Sequence, residues 1–156
     1  MAALIQFQDI FPLRKPLIAC IHLRALPGAP LYGGNMKAIF DQAIAVTELF
    51  AKAEVDALIV ENFMDVPFFP GAVPAETVAA MAAICREIVN HAGGMPIGVN
   101  VLRNDADAAL AIATAVGAQF IRVNVHNAAA LTDQGVIEGR AYATLRKRNT
   151  LGAKVL

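Results

Sequence analysis

The chain has 156 residues, of which 57% are hydrophobic and 17% are charged. A chain of this length and composition can bury one core of ordinary size, and it is neither disordered nor fibrous. Thirteen basic residues balance thirteen acidic ones, so no overall field attracts the protein to nucleic acid or to an anionic membrane.

Signals for export or for a membrane span are not evident. The longest apolar stretch, Ala108 to Ala118, is about half of what a spanning helix needs, and no basic segment precedes the first apolar residues. Cys20 and Cys85 lie in separate apolar runs, which is typical of reduced thiols in a core. We therefore expect a cytoplasmic protein without a transmembrane segment.

Short apolar runs alternate with longer amphipathic segments along the chain. After an N-terminal extension, four runs predict strands that are buried on both faces: residues 16–23, 57–62, 96–102 and 120–126. Helical spacing of apolar residues predicts helices near residues 36–50, 78–89, 109–116 and 133–149. Asn35, Asn104 and Asp133 are the expected N-caps, and residues 153–156 resemble the start of a fifth strand.

This alternation predicts a parallel α/β sheet, either doubly wound or a (β/α) barrel. Neither a GxGxxG nor a GxxxxGK[ST] motif follows the first strand, which disfavours a doubly wound nucleotide binder. We predict the N-terminal portion of a (β/α)8 TIM barrel, with about four and a half β/α units, parallel strands and outer helices. Residues 1–156 would form one domain, with 1–15 as the extension and 16–156 as units 1 to 4 and the start of strand 5.

Polar side chains collect where the predicted strands end. In the fourth run, Arg122, Asn124 and His126 alternate with apolar residues, and a two-residue period places all three on one face. The other strand ends contribute His22, Glu61, Asn62, Asp65, Asn100, Arg103, Asn104 and Asp105. Barrel enzymes carry their chemistry at this end of the strands.

A buried Arg122 needs a carboxylate or an anionic ligand, because an unpaired buried charge is costly. Two interpretations stay open: Arg122 holds the anion of a ligand, or Glu61 and Arg122 form a structural ion pair across the barrel floor. The candidate catalytic groups are His22, Glu61, Asp65 and His126. Without an HExxH motif, a CxxC motif or a close His pair, a metal at His22, Glu61 and Asp65 is only weakly indicated, and we predict no metal site.

The segment TDQG at residues 132–135 opens the predicted fourth helix. With Thr132, Asp133 and Gln134, the amides of this helix start could hold a phosphate or carboxylate; the alternative is an ordinary capped helix. Toward the end of the same helix lie the basic residues Arg140, Arg146, Lys147 and Arg148. No aromatic residues are interleaved with them as in a nucleic-acid surface, so they indicate a solvated face.

Five segments resemble the BtpA/SgcQ family: KPLIACIHLRALPGAPLYGG, DALIVENFMDVPF, PIGVNVLRNDADAALAIA, FIRVNVH and TDQGVIEGRA. The resemblance runs from about Lys15 to Leu156 and implies a fold similar to the phosphate-binding TIM barrels. One departure is Asn127–Ala128, where the family pattern reads close to Thr-Gly. The family's signature positions imply a site made of His22, Glu61, Asn62, Asp65, Asn100, Arg103, Asn104, Asp105, Arg122, Asn124, Thr132, Asp133 and Gln134.

The resemblance leaves two classes of function open. The first is a barrel of unassigned reaction that binds a small phosphorylated or carboxylated metabolite at the mouth of the strands; neither a cofactor nor enzyme activity is specified. The second, implied by the family's name, is a non-catalytic assembly factor for photosystem I biogenesis, with peripheral membrane association conceivable in that case. No lysine lies inside the first four strands, which disfavours Schiff-base aldolase chemistry.

Against family members of roughly 250 residues, the length of a full barrel, the chain resembles one truncated after the fourth β/α unit. Such a portion exposes two sheet edges and an apolar inner face. We therefore expect a homo-oligomer or another association through the open edges of the barrel.

Overall fold

The computed structural model describes residues 5–12 and 15–156. A short helix is followed by alternating strands and helices, then by a two-stranded hairpin and a last helix. The elements are α1 (Phe7–Ile10), β1 (Ile18–His22), α2 (Met36–Lys52), β2 (Ala57–Glu61), α3 (Ala75–His91), β3 (Ile97–Asn100), α4 (Ala106–Val116), β4 (Phe120–Ile121), β5 (Ala129–Thr132), β6 (Gly135–Glu138) and α5 (Ala141–Thr150).

The main sheet has the strand order β1-β2-β3-β4, and all of its pairs are parallel. A sequential order without reversal is that of a barrel, since a doubly wound sheet changes direction at a switch point. The expected α/β fold is therefore confirmed. Beside β4, the Ile121 amide donates to the Leu156 carbonyl at 3.0 Å and the Leu156 amide to the Gln119 carbonyl at 2.9 Å, so the end of the chain pairs with the edge of β4, where the fifth strand is expected.

The two faces of the sheet have different neighbours. Helices α2, α3 and α4 cover one face, where the buried strand residues are Ile21, Leu58, Val60, Ile97 and Val99. On the inner face, Phe11 follows α1 and packs against Ala57, Ile59 and Phe120. The rings of Phe11 and Phe120 meet edge to face with centroids 6.1 Å apart. One end of the inner face is thus closed by apolar contacts.

The helix starts follow local hydrogen bonding. The Asn35 side chain accepts from the Ala38 amide and caps α2 as predicted. At α4 the predicted cap, Asn104, is wrong: the Asp105 carboxylate accepts from the Ala108 amide at 2.9 Å. Asn104 instead binds backbone groups of the strand-end segment, which leaves the neighbouring carboxylate to cap the helix.

The helix predicted from Asp133 to Asn149 is also wrong in nearly its first half. Residues 129–138 form the antiparallel hairpin β5–β6, and Thr132 pairs with Gly135 across a two-residue turn. Gly135 has φ +91°, a conformation that glycine adopts without steric cost. The Thr132 hydroxyl donates to the Gly135 carbonyl at 2.9 Å. The helix begins only at Ala141, so Asp133 caps no helix.

The two cysteines have different environments. Cys85 is fully buried, as expected, whereas Cys20 is exposed on the inner face of β1. The prediction of two core thiols is therefore wrong for Cys20, because the inner face of β1 is covered by less protein than its outer face. In the part of the chain that the structure describes, no helix is long and apolar enough to cross a membrane.

Candidate functional site

Polar residues from four strands meet at the carboxyl ends of the main sheet. Parallel register places His22 beside Glu61, and Glu61 beside Asn100. Arg122 follows β4 directly, and its amide donates to the Val99 carbonyl of β3. The alternation of β1, β2 and β3 thus brings these side chains to one edge, where we define the Glu61 site as His22, Glu61, Asn100 and Arg122.

Glu61 is the centre of this site and is 4% exposed. Its Oε1 accepts from Arg122 Nη1 at 2.8 Å and from Asn100 Nδ2 at 2.9 Å. Its Oε2 lies 3.6 Å from His22 Nε2, too far for a normal hydrogen bond. One oxygen of the buried carboxylate is therefore paired with a cation, and the other faces the His22 imidazole without a direct hydrogen bond.

Two of the three partners of Glu61 reach into solvent. The Arg122 side chain is 55% exposed and that of His22 is 45% exposed. Among the described residues, Arg122 spends one guanidinium N–H on Glu61, which leaves donors for an anion because the group carries five. The His22 ring stacks on Phe63 with centroids 4.0 Å apart and planes 10° apart. This stack fixes the imidazole at the rim of the site.

Asn124 joins the site from the segment after β4. Its Oδ1 lies 3.4 Å from Asn100 Nδ2, and its own Nδ2 donates to the Arg103 carbonyl at 2.8 Å. Both amides are therefore engaged with protein groups. They hold the carboxylate and the strand-end loops in register rather than presenting free donors to a ligand.

Asn62 and Asp65, by contrast, brace neighbouring loops. Asn62 accepts from the Leu102 amide at 2.7 Å and donates to Asp65 Oδ2 at 3.1 Å, while Asp65 Oδ1 accepts from the Leu26 amide at 2.8 Å. Burial raises the pKa of Asp65 above its ordinary value, and the hydrogen bonds from Leu26 and Asn62 oppose that rise. Asp65 thus joins two loops next to the Glu61 site through its hydrogen bonds to Leu26 and Asn62.

The next two predicted residues bind backbone groups. Asn104 accepts from the Val125 amide at 2.8 Å and donates to the Val125 carbonyl at 3.0 Å. Asp105 accepts from the Val73 amide at 2.8 Å as well as capping α4. These side chains shape the loops around the site and have their polar atoms occupied.

Arg103 ties three loops together. Its Nε donates to Gln134 Oε1 at 2.9 Å, its Nη2 pairs with Asp133, and its guanidinium carbon lies 5.1 Å above the ring centre of Phe68. The Gln134 and Arg103 hydrogen bonds hold the pKa of Asp133 below its ordinary value. A hairpin turn anchored by Arg103 is therefore formed by Thr132, Asp133 and Gln134. The structure has no helix N-terminus at these described residues, where one was expected.

His126 does not join the Glu61 site. With β4 ending at Ile121, the following residues lose strand alternation, and His126 lines a cavity of about 200 Å³ together with Ile121 and Val123. The prediction that Arg122, Asn124 and His126 share one face is wrong for His126. The bonds from Asn104 to Val125 replace the regular ladder at this point.

Two features of the site were missed. Cys20 shares the inner face with His22, which the alternation of β1 would have predicted, and Glu61 and Arg122 act on its pKa in opposite directions while burial raises it. The stack of His22 on Phe63 joins separate loops and has no signal in the sequence. The described residues contain no group of three or more His, Cys, Asp or Glu that could hold a metal ion.

A cavity larger than the one beside His126 lies elsewhere. About 600 Å³ in volume, it is lined by the loop before α3, the start of α4, the hairpin and α5, and none of the four residues of the Glu61 site contributes to it. The Glu61 site is open to solvent on the side where His22 and Arg122 are exposed.

A sequential parallel sheet with outer helices and a polar edge at its carboxyl end defines the class as an α/β protein built like part of a barrel. The profile of the BtpA family matches residues 13–156. The chain belongs to the BtpA family. No solved structure matches it.

Relatives come from distant organisms. An uncharacterised protein of Thermococcus kodakarensis is 49% identical over 137 residues, which cover 86% of this chain and 52% of the relative. The Photosystem I biogenesis protein BtpA of Synechocystis is 45% identical over 145 residues, or 93% of this chain and 50% of the relative. An uncharacterised mitochondrial protein of Caenorhabditis elegans is 33% identical, over 90% of this chain and 52% of its own length. The chain spans about half the length of the curated relatives it matches.

Proposed function

We propose that the Glu61 site binds a small phosphorylated or carboxylated metabolite at the carboxyl ends of the strands. The proposal rests on the exposure of Arg122, whose half-exposed guanidinium donates one N–H to Glu61. Its remaining donors face solvent at the end of a parallel sheet, where α/β barrels place their ligands. Planar N–H pairs suit carboxylate and phosphate oxygens.

The chemistry that fits this arrangement is proton transfer. Glu61 Oε2 and His22 Nε2 lie 3.6 Å apart, so a ligand hydroxyl beside the pair could contact both, give its proton to one group and receive one from the other. Asn100 and Arg122 would keep the opposite oxygen of the carboxylate fixed. The Glu61 site is therefore proposed to bind its ligand next to an acid–base pair, and several reactions that transfer a proton are compatible with it.

The proposal is tested by measuring anion binding in two variants that are expected to change the affinity in opposite directions. Ribose 5-phosphate, with inorganic phosphate as the simpler probe, should raise the melting temperature of the protein saturably. Arg122→Met should abolish that rise because it removes the cation. Glu61→Gln should strengthen anion binding several-fold because it removes the charge that neutralises Arg122. Arg86→Met is the matched control, since Arg86 binds the Ala115 carbonyl between α3 and α4.

The alternative of a structural ion pair predicts different results. If Arg122 only pairs with Glu61, no anion stabilises the wild type, and Arg122→Met and Glu61→Gln both lower stability without any effect on binding. A rise in melting temperature that persists in Arg122→Met would also overturn the proposal. His22→Asn should leave anion binding intact, because His22 is assigned to proton transfer.

A second candidate function is a non-catalytic assembly factor for photosystem I. It is favoured by the 45% identity to the Photosystem I biogenesis protein BtpA of Synechocystis. A nematode relative of similar coverage argues for a role that does not depend on photosynthesis. The assembly role predicts that the chain co-sediments with photosystem-containing membranes and that Arg122→Met does so equally well. Failure to co-sediment would exclude this candidate and leave the first untouched.

A further inference from the structure

The cavity beside His126 combines apolar walls with two unpaired nitrogens. Its volume is about 200 Å³. His126 Nε2 and Arg148 Nε are both buried and have no hydrogen-bond partner among the described residues. Buried polar atoms are nearly always paired, and an exception asks for an explanation such as a bound group. Most of the remaining lining is aliphatic: Leu110, Ile121, Val123, Leu145, Val155 and Leu156.

We propose that this cavity is a second binding site, which takes a short-chain carboxylate with a branched hydrocarbon body. The Arg148 N–H donates and carries positive charge, and His126 Nε2 donates in one tautomer. Two such groups match the two oxygens of a carboxylate. The aliphatic walls match a hydrocarbon body, and the volume lies below the roughly 300–1,000 Å³ of pockets for drug-sized ligands.

Neighbouring polar groups do not compete for this ligand. Thr144 also lines the cavity, but its hydroxyl donates to the Arg140 carbonyl at 3.2 Å. Arg146, two residues before Arg148 on α5, is exposed and donates to the Tyr142 carbonyl at 2.8 Å. The helix therefore offers one arginine that faces the cavity and one that does not, which provides a matched pair for an experiment.

The cavity is separate from the Glu61 site. None of its lining residues belongs to that site, and it lies between the sheet and helices α4 and α5 rather than at the carboxyl edge. Binding here is consequently independent of Arg122. A failure of the proposed metabolite site would leave this proposal standing, and the reverse also holds.

The experiment is titration of the full chain with 3-methylbutanoate, followed by the melting temperature and by calorimetry. The neutral isostere 3-methylbutanamide controls for the hydrocarbon body, and sodium chloride controls for ionic strength. The acid should bind saturably, and the amide about tenfold more weakly or not at all, because it lacks the charge that pairs with Arg148. Arg148→Met should remove acid binding, whereas Arg146→Met and Arg122→Met should retain it.

Three results would overturn the proposal. They are the lack of a saturable effect of the acid on the wild type, equal binding of the acid and the amide, and binding of the acid by Arg148→Met as tight as by the wild type. Arg148→Met replaces an unpaired buried nitrogen by a hydrocarbon, so we expect it to fold. Should it fail to fold, the comparison of acid with amide on the wild type and on His126→Leu decides the question, since loss of one donor must weaken acid binding specifically.

Discussion

Gly98 is the residue that allows the inner face of the sheet to close. A Cβ atom at this position would lie 2.1 Å from Cε2 of the Phe120 ring, far inside van der Waals contact. The ring therefore crosses β3 only because glycine lies beneath it. Phe120 in turn supports Phe11 and Ile59 in the inner cluster.

We expect Gly98→Ala to lower the free energy of unfolding by about 1–3 kcal/mol, the usual cost of overpacking a closed core. Urea denaturation measures this as a lower midpoint with an unchanged slope. Gly33→Ala is the matched control, because a Cβ at Gly33 meets nothing within 4 Å and φ there is not positive. Equal midpoints for the two variants would contradict the close contact.

Asp65 makes a prediction about pH. Burial raises its pKa in the folded protein above the ordinary value of 3.8, so the folded state binds the proton more tightly than the unfolded state does. Its contribution to stability is therefore full below pH 3.8 and is lost as the pH rises through the raised pKa. The difference in unfolding free energy between wild type and Asp65→Asn should decline across that window and then level off.

Asp133 provides the opposite case. Hydrogen bonds from Gln134 and Arg103 hold its pKa below 3.8 in the folded protein, so its contribution is present above pH 3.8 and lost as the pH falls through the lowered pKa. The difference between wild type and Asp133→Asn should therefore rise with pH. Urea titrations of both variants between pH 2.5 and about pH 7 give the two slopes, and slopes of the same sign would contradict the assignment.

At the scale of elements, the hairpin β5–β6 depends on few attachments. Its turn is joined to the rest of the chain by Arg103 through Asp133 and Gln134. At its base, the Gly139 amide donates to the Ala128 carbonyl at 2.7 Å. An isolated two-stranded hairpin is only marginally stable in water, so these bonds and the buried Ile137 side chain hold it against the rest of the protein.

We expect Arg103→Gln to speed amide hydrogen exchange in residues 129–138 by about two- to fivefold, since an exposed ion pair stabilises only weakly. Exchange in α2 and α3 should not change, because Arg103 contacts neither helix in the described structure. Arg86→Gln, which releases a bond between α3 and α4, should leave the hairpin unaffected. Unchanged exchange in residues 129–138 would show that the turn is held by other contacts.

The same elements show what the sequence could predict. The pattern of apolar residues predicts β1, β2, β3 and the three large helices. Burial of one or both faces of an element requires apolar residues at a spacing that is visible in the sequence. The shortening of β4 was not predictable from that period, since it follows from the distant Asn104 side chain binding Val125. The sequence assigns residues 133–138 to a helix because Asp133 is a common N-cap residue, whereas Gly135 and the Thr132 hydroxyl favour a turn.

The sequence predicts which residues form the candidate site, but not which of them bind one another. Alternation and strand ends brought His22, Glu61, Asn100 and Arg122 to one edge, as the register confirms for the first three. The alternation pattern does not distinguish Glu61, at the centre of the site, from Asp65, whose carboxylate accepts a hydrogen bond from the Leu26 amide of a loop. That separation depends on which backbone amides lie nearby, and no local pattern of residues encodes it.

At the scale of the whole molecule, the inner face of the sheet is covered at one end and open at the other. Phe11 closes it near Phe120, whereas Cys20 and His22 on β1 remain exposed. An incompletely covered inner face with unpaired sheet edges favours association between chains. Cys20 lies on that face and can report whether another molecule covers it.

We expect iodoacetamide to modify Cys20 in the folded protein and to reach Cys85 only after unfolding, because Cys85 is fully buried and burial raises the pKa of its thiol to about 12. Burial and Glu61 also raise the pKa of Cys20 above 9.0, so its alkylation should accelerate with pH beyond that value. If chains associate through the inner face, the Cys20 rate at fixed pH must fall as protein concentration rises. Cys20→Ser should abolish the folded-state reaction, and a constant rate at concentrations where light scattering detects association would place the contact elsewhere.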